Sequence, residues 1–376
     1  MTTAFVLLAA WALLSGVAYA STPPVAVCAA AKLKAAAQKT AAKLKCQTSA
    51  IKGASAVDLA CLLKAEQKFT AAFVKAEAKG GCFMSGDADV VESHVDGGVS
   101  TLVADEPGGP ESQWALLIGR SWTMPAGSEG FRCRRIQLQA DMYITGFRPV
   151  SPSTVFRMIV SVSSTSTPLG DYNCSPNNID QRVIYQSGIG TDDLEFPLGV
   201  GVHLHAGDYV NVNLFLDNEG TKPVDGIAGV LVRMGSAASV INNAELVLAG
   251  TFDIYIPNDG MPHTANGGCA WPATSQVVAL WPHLHARGTH VNMVIVPAAS
   301  APQTVIDAPY TLDHQPIIPA ALALHPGDAV GVTCTYVNNT QINPLTFGDS
   351  ASSEQCFVGL YVWPSEGLGF LGCVSN

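Results

Sequence analysis

His205-Ala-Gly-Asp-Tyr-Val-Asn-Val212, closing at Leu216-Asp-Asn218, returns 120 residues later as His325-Pro-Gly-Asp-Ala-Val-Gly-Val332, closing at Val337-Asn-Asn339. Each copy is a Gly-Asp turn that opens an alternating strand, and period-two alternation sends successive side chains to opposite faces of a sheet. One copy in each half predicts two β-sandwiches that share a topology. His205 and His325 then hold equivalent strand-opening positions, which favours a structural role for both. Around these copies lie further short alternating runs: Arg134-Arg-Ile-Gln-Leu-Gln-Ala140, Phe156-Arg-Met-Ile-Val-Ser-Val162, Gly229-Val-Leu-Val-Arg-Met234 and His290-Val-Asn-Met-Val-Ile-Val296. Turn residues bound each of them, so the chain from residue 113 onward reads as all-β.

The chain before residue 113 has a different texture. Met1-Thr-Thr is followed by an apolar run from Ala4 to Ala18 and by Ala18-Tyr19-Ala20, which reads as a secretory signal over residues 1–20 and implies a secreted or periplasmic protein. No later stretch has the length of a membrane span. Residues 21–84, rich in Ala, Lys and Leu, read as two antiparallel helices, with Asp58 as the N-cap of the second. Cys46 and Cys61 are centred on nearly the same point as Cys28 and Cys82. Of the three possible connectivities, the concentric pairs Cys28–Cys82 and Cys46–Cys61 fit such a hairpin best. Residues 21–82 carry ten Lys against Asp58, Glu66 and Glu77 within a chain of net charge −10. This basic arm suits docking on an anionic surface or on the acidic remainder of the chain. Residues 85–112, with Gly, Pro and acidic residues, read as a linker with a short helix near Val90.

The chemistry concentrates at Trp281-Pro-His283-Leu-His285 and at Glu354-Gln355-Cys356. Histidines at i and i+2 of a strand point to one face, a geometry suited to copper, zinc, iron or nickel. The same pair is also compatible with a wet sheet surface. His290 lies at an odd offset from the pair and joins it only if a bulge or turn at Gly288 restores its direction. The sequence contains no Gly-x-Ser-x-Gly elbow, no phosphate-binding Gly loop and no His-Glu-x-x-His. The acidic β region, and a basic arm without interleaved aromatics, point away from nucleic acid. Asn338-Asn-Thr340 is a sequon for N-glycosylation.

From about Ser121 to Cys373 these residues resemble the copper type II, ascorbate-dependent monooxygenases, the group of peptidylglycine α-hydroxylating monooxygenase and dopamine β-monooxygenase. Ser121-Trp-Thr-Met-Pro-Ala126 resembles the family's first strand, and Ile144-Thr-Gly-Phe-Arg-Pro149 its approach to the strand that carries copper ligands. His283-Leu-His285 resembles the His-x-His of the second copper site, and Ser353-Glu-Gln-Cys-Phe357 the segment that carries its Met ligand. The resemblance implies two tandem jelly-roll β-sandwiches, over residues 113–245 and 246–376, behind the disulfide-stapled helical hairpin. It also implies Cys133–Cys174, Cys269–Cys373 and Cys334–Cys356 as disulfides.

The same resemblance implies two copper sites across a solvent-filled cleft, with ascorbate as reductant for C–H hydroxylation. At the first site the positions of the His-His pair align with Phe156 and Arg157, and that of the third His with Phe215. Phe has no lone pair and Arg is a permanent cation, so nothing there can hold copper. His203 and His205 fall in the same half but out of register with the missing ligands. At the second site His283 and His285 remain and Gln355 stands at the Met position, an exchange toward a harder donor. The expectation is one copper at His283, His285 and Gln355, with the two-copper reaction impaired or lost and a small-molecule or peptide substrate left undefined. The alternative is a non-catalytic envelope binding or structural protein on the same scaffold.

Overall fold

The computed structural model describes residues 23–53, 57–105, 114–165, 168–298, 300–342 and 344–375, and the expected export signal lies outside the described residues. Three helices come first: α1 (Pro24–Gly53), α2 (Leu59–Ala78) and α3 (Ala88–Asp105). Strands of the first half are β1 (Trp114–Met124), β2 (Ser128–Gln137), β3 (Met142–Val150), β4 (Val155–Ser163), β5 (Gly170–Tyr172) and β6 (Arg182–Gly188). They continue as β7 (Leu194–Glu195), β8 (Gly199–Leu204), β9 (Tyr209–Asn218), β10 (Val224–Met234) and β11 (Val240–Asn243). The second half opens with β12 (Glu245–Thr251), β13 (Tyr255–Ile256), β14 (Pro262–Ala270), β15 (Ser275–Leu284), β16 (Gly288–Val296) and β17 (Gln303–Pro309). It ends with β18 (Ile318–Leu324), β19 (Ala329–Val337), β20 (Leu345–Thr346), β21 (Cys356–Trp363) and β22 (Cys373–Ser375).

The expected duplication is visible in the strand order. In the first half one sheet runs β1-β10-β3-β8-β11 and the other β5-β2-β9-β4-β6. In the second, β12-β21-β15-β18 repeats the order β1-β10-β3-β8, and β14-β19-β16-β17 repeats β2-β9-β4-β6. The two copies of the turn are built alike. Asp208 Oδ2 accepts the His205 N–H at 2.8 Å, and Asp328 Oδ2 accepts the His325 N–H at 2.8 Å. Gly207 and Gly327 both sit at φ +91°, a left-handed conformation that a side chain would strain. At the far ends of β9 and β19, buried Asn218 and Asn338 each donate Nδ2 hydrogen bonds to backbone carbonyls of a neighbouring loop.

β16 and β19 alternate between buried and exposed residues, the pattern of a sheet with one solvated face. β12, β15 and β21 do not; nearly every residue in them is buried. One face packs into the second core through Val247, Leu280, Leu284 and Leu360. The other joins the core of the first half through Leu246, Ala279, Trp281 and Tyr361. Each such fully buried Val or Leu side chain contributes about 1.5–3 kcal/mol. Tyr361 Oη lies against the backbone of Gln186 in β6, and Trp281 Nε1 donates to Thr191 Oγ1 at 3.2 Å.

Five disulfides close: Cys28–Cys82, Cys46–Cys61, Cys133–Cys174, Cys269–Cys373 and Cys334–Cys356. Among the described residues no helix is long and apolar enough to cross a membrane.

In the segment 85–112 a helix is present at Val90 as expected, but it is longer than the linker expectation allowed. Most of the segment is α3, an 18-residue helix that packs on α1. Its acidic residues explain why. The buried face of α1 runs through Cys28, Lys32, Ala35, Lys39, Lys43, Cys46 and Ala50, so three lysines point inward. Lys39 Nζ bonds Glu92 at 2.8 Å and pairs with Glu66 and Asp96, while Lys43 Nζ bridges Glu66 and Asp96 at 2.7 and 2.8 Å. Lys32 pairs with Glu77 and Asp87, and Arg134 of β2 pairs with Glu92. Those lysines are therefore not free to meet an external anionic surface. The helices also dock on the outer face of the first sandwich, where Cys46, Ala50 and Leu62 cover Trp114 and Leu231.

Candidate metal centre

β15 carries Trp281, His283 and, just past its end, His285 toward the first half of the molecule, while Leu280 and Leu284 face the second core. Both histidines are buried, at 0% and 1% exposure, and their ring centroids lie 5.4 Å apart at 80°. Each ring is fixed through one nitrogen. His283 Nδ1 lies 2.8 Å from Gln315 Oε1, and His285 Nδ1 lies 2.8 Å from the Ser353 carbonyl oxygen. An acceptor at Nδ1 puts the proton there and leaves Nε2 with its lone pair, the arrangement that orients imidazoles toward a metal. Nε2 of His283 is buried and has no hydrogen-bond partner. An orphaned acceptor of this kind costs about 1–3 kcal/mol unless something occupies it.

The third expected donor comes from the segment before β21. Gln355 is buried, its amide faces the His283 ring, and its Nε2 donates to Gly348 O at 3.1 Å and to Asp349 Oδ1 at 3.2 Å. Its Oε1 accepts from Arg157 Nη1 at 3.4 Å and keeps a second lone pair for a cation. Burial pulls His283 down to about 4, and it pulls His285 well below the ordinary histidine value, so both rings are neutral. Two neutral imidazoles and an amide oxygen fit a borderline cation such as cupric copper or zinc.

Glu354 holds the backbone that connects these donors. Its carboxyl oxygens accept the His285 N–H at 3.1 Å and the Arg287 N–H at 2.7 Å, while burial pushes the group up to about 8. Tyr310 Oη donates to Leu284 O at 2.6 Å and Tyr336 Oη to Gln355 O at 2.8 Å. Gln315 and Tyr310 escaped the sequence reading because they bear no motif and lie 32 and 26 residues from their partners, and Ser353, although it opens the quoted Ser353–Phe357 segment, acts through a backbone carbonyl that no residue type announces.

His290 is not brought to this group. The turn at Ala286 and Arg287 carries the chain over to β16 in the opposite sheet, where Val291 faces the core and His290 points out to Asp307 at 3.3 Å.

The positions aligned with the first copper site stand against the second. Phe156 meets the His285 ring edge-on at 4.9 Å and Phe215 at 5.6 Å, and Phe131 packs on Phe215 at 4.8 Å. Arg157 is buried, with Nη2 2.9 Å from Asp349 and Nη1 3.4 Å from Gln355 Oε1. Where a solvent-filled cleft between two metal sites is expected, aromatic rings pack against His285 and the half-buried Arg157–Asp349 ion pair stands beside Gln355. Asp349 neutralises the guanidinium, so the donor set keeps its fit for a cation. Beside Arg157 and Gln355 a cavity of about 240 Å³ persists, walled by Phe252, Phe347, Phe357 and Phe370.

Residues 242–376 match the family model of the copper type II ascorbate-dependent monooxygenase, C-terminal domain. No curated protein matches the chain. Among solved structures, that of infectious bursal disease virus Gx strain is 10% identical over 68% of this chain and 74% of that one, with a TM-score of 0.17. Vicilin from Solanum lycopersicum (tomato) is 8% identical over 63% and 78%, at 0.13. At such scores the likeness carries no argument.

Proposed function

We propose that this chain, whose second half matches the monooxygenase C-terminal domain, is an exported copper-binding protein of the monooxygenase type that holds one copper and has lost the two-copper hydroxylation. The observation that carries the reading is the buried, unpaired Nε2 of His283 beside a second imidazole fixed in the same way. His283 and His285 would hold the metal through Nε2, with the Gln355 amide oxygen as third donor. When bound, copper in such a site supplies one-electron chemistry toward oxygen. Gln315 and Ser353 keep each imidazole in the tautomer that exposes Nε2. Trp281 and Phe156 exclude water, and the Arg157–Asp349 pair fixes Gln355. Phe156, Arg157 and Phe215 offer no ligand for a second copper, so electron delivery across the molecule has no relay. Five disulfides suit an oxidising compartment, which supports export.

Copper analysis after reconstitution and desalting tests the reading. The expected result is about one copper per chain, abolished by His283→Ala and by His285→Ala. Wild-type protein without copper overturns it. Ascorbate-driven oxygen uptake should stay at background in the copper-loaded protein; uptake that depends on His283 would instead identify a mono-copper oxygenase. A second reading, a non-catalytic binding or structural protein of the envelope, is favoured by the Phe156 ring seated on His285, which obstructs access to the site.

A further inference from the structure

We propose a second metal site, on the surface of the first sandwich, formed by Asp141, His203 and His205 and suited to a borderline divalent cation of the zinc type. His203 lies in β8 opposite Tyr143 of β3, whose ring stacks on it at 4.3 Å and 11°. His205 follows at the Gly-Asp turn, and the two imidazole centroids are 4.2 Å apart. Asp141 stands just before β3. Its Oδ1 accepts the Ala206 N–H at 2.9 Å, and its Oδ2 lies 3.1 Å from His203 Nε2. One ligand atom from each of the three residues falls within 4.8 Å of the others.

The distances suit shared coordination. Zinc bonds to nitrogen and oxygen of about 2.0–2.2 Å at tetrahedral angles separate two ligand atoms by roughly 3.3 Å. The His203–Asp141 separation of 3.1 Å is close to that value, and the exposed His205 is free to close the remainder by side-chain rotation. Two neutral imidazoles and one carboxylate form a donor set of charge −1 for a divalent cation, with solvent free to take the fourth position.

The frame beneath the two imidazoles is fixed without them. Asn243 Oδ1 accepts the His203 N–H at 2.9 Å, and Asp208 Oδ2 accepts that of His205. The duplicated turn supplies an internal control. In the second sandwich His325 stands where His205 does, with the same Asp328 contact, yet Ala323 replaces the companion histidine. The turn therefore folds without a histidine pair, and the imidazoles of His203 and His205 are surplus to its architecture.

The test uses the full disulfide-bonded protein, stripped with chelator and titrated calorimetrically with zinc chloride alone, beside its His283→Ala variant, in which the candidate copper centre no longer competes for zinc. One equivalent of zinc is expected in the His283→Ala protein. In that background His205→Ala and Asp141→Asn should each weaken it by about tenfold or more. Because His205 and Asp141 are exposed, their variants should retain the circular dichroism spectrum of the parent, which separates ligand loss from misfolding. Zinc binding that survives His205→Ala in the His283→Ala background, or no zinc uptake by the wild type, overturns the proposal. The outcome is independent of whether copper binds at His283 and His285, since no copper is added.

Discussion

Gln315 is the residue on which the candidate copper centre turns. Its amide oxygen is 2.8 Å from His283 Nδ1, and its N–H and side chain are held by Ile189 O and Leu312 O. Replacing it by Leu removes the acceptor that sets the His283 tautomer. Copper affinity measured by competition with a chromogenic chelator should fall about 10–100-fold with the fold intact. Gly188→Ala should act in the same direction, because a Cβ there would overlap the Gln315 amide and displace it. Neither effect is readable in the sequence. The pair His283 and His285 is legible because i, i+2 spacing is a local property of a strand. Gln315 sits in a loop after β17, and Gly188 belongs to the other sandwich. Likewise the sequence shows that Phe156 and Arg157 cannot hold a metal, but only the packing of one sandwich on the other brings them to His285 and Gln355.

At the scale of elements, α1 and α3 stand or fall together. Lys39 is buried among Glu66, Glu92 and Asp96, so Lys39→Met leaves three carboxylates with one cation fewer. Removing one partner from such a network costs about 3–5 kcal/mol, to be read from chemical denaturation. Acid should loosen the same helices. Burial opposes the charge of Glu92, yet the Arg134 guanidinium, a hydrogen bond with Glu66 and the Lys39 ammonium outweigh it and hold the carboxyl below its ordinary 4.5. A depressed carboxylate stabilises the fold above that value and loses its contribution as pH falls below it. Hydrogen-exchange protection in α3, taken relative to the intrinsic rate, should fall below pH 4.5, and Glu92→Gln should weaken that dependence. The two-helix hairpin was legible from its composition and the centred cysteines. Of α3 only a short helix near Val90 was legible, because Gly97 and Gly98 each cost about 1 kcal/mol in a helix and the Gly, Pro and acidic content makes the rest of 85–112 look like a tether. Its acidic residues find their reason only opposite the inward lysines of α1.

For the molecule as a whole, the sheet containing β12, β15 and β21 serves two cores at once. The duplicated turn made two related sandwiches legible, since turn chemistry and strand alternation are local. The face they share was not, because two-sided burial leaves β12, β15 and β21 without the alternation that marks a face. Residues 242–376 expressed alone would expose Leu246, Ala279, Trp281 and Tyr361 to water. That fragment should bind a hydrophobic dye and self-associate in sedimentation, whereas the full chain should do neither. Asn338 carries a different consequence, for how the protein can be made. It lies at 0% exposure, and both hydrogens of its Nδ2 go to Ile256 O and Ile342 O, while Thr340 of the sequon is turned back onto its Oδ1. Sugar attachment uses that same nitrogen. In a host that glycosylates nascent chains, attachment and folding are thus rival fates of one amide: a chain that receives the sugar first cannot close its second sandwich, and a chain that closes first is never modified.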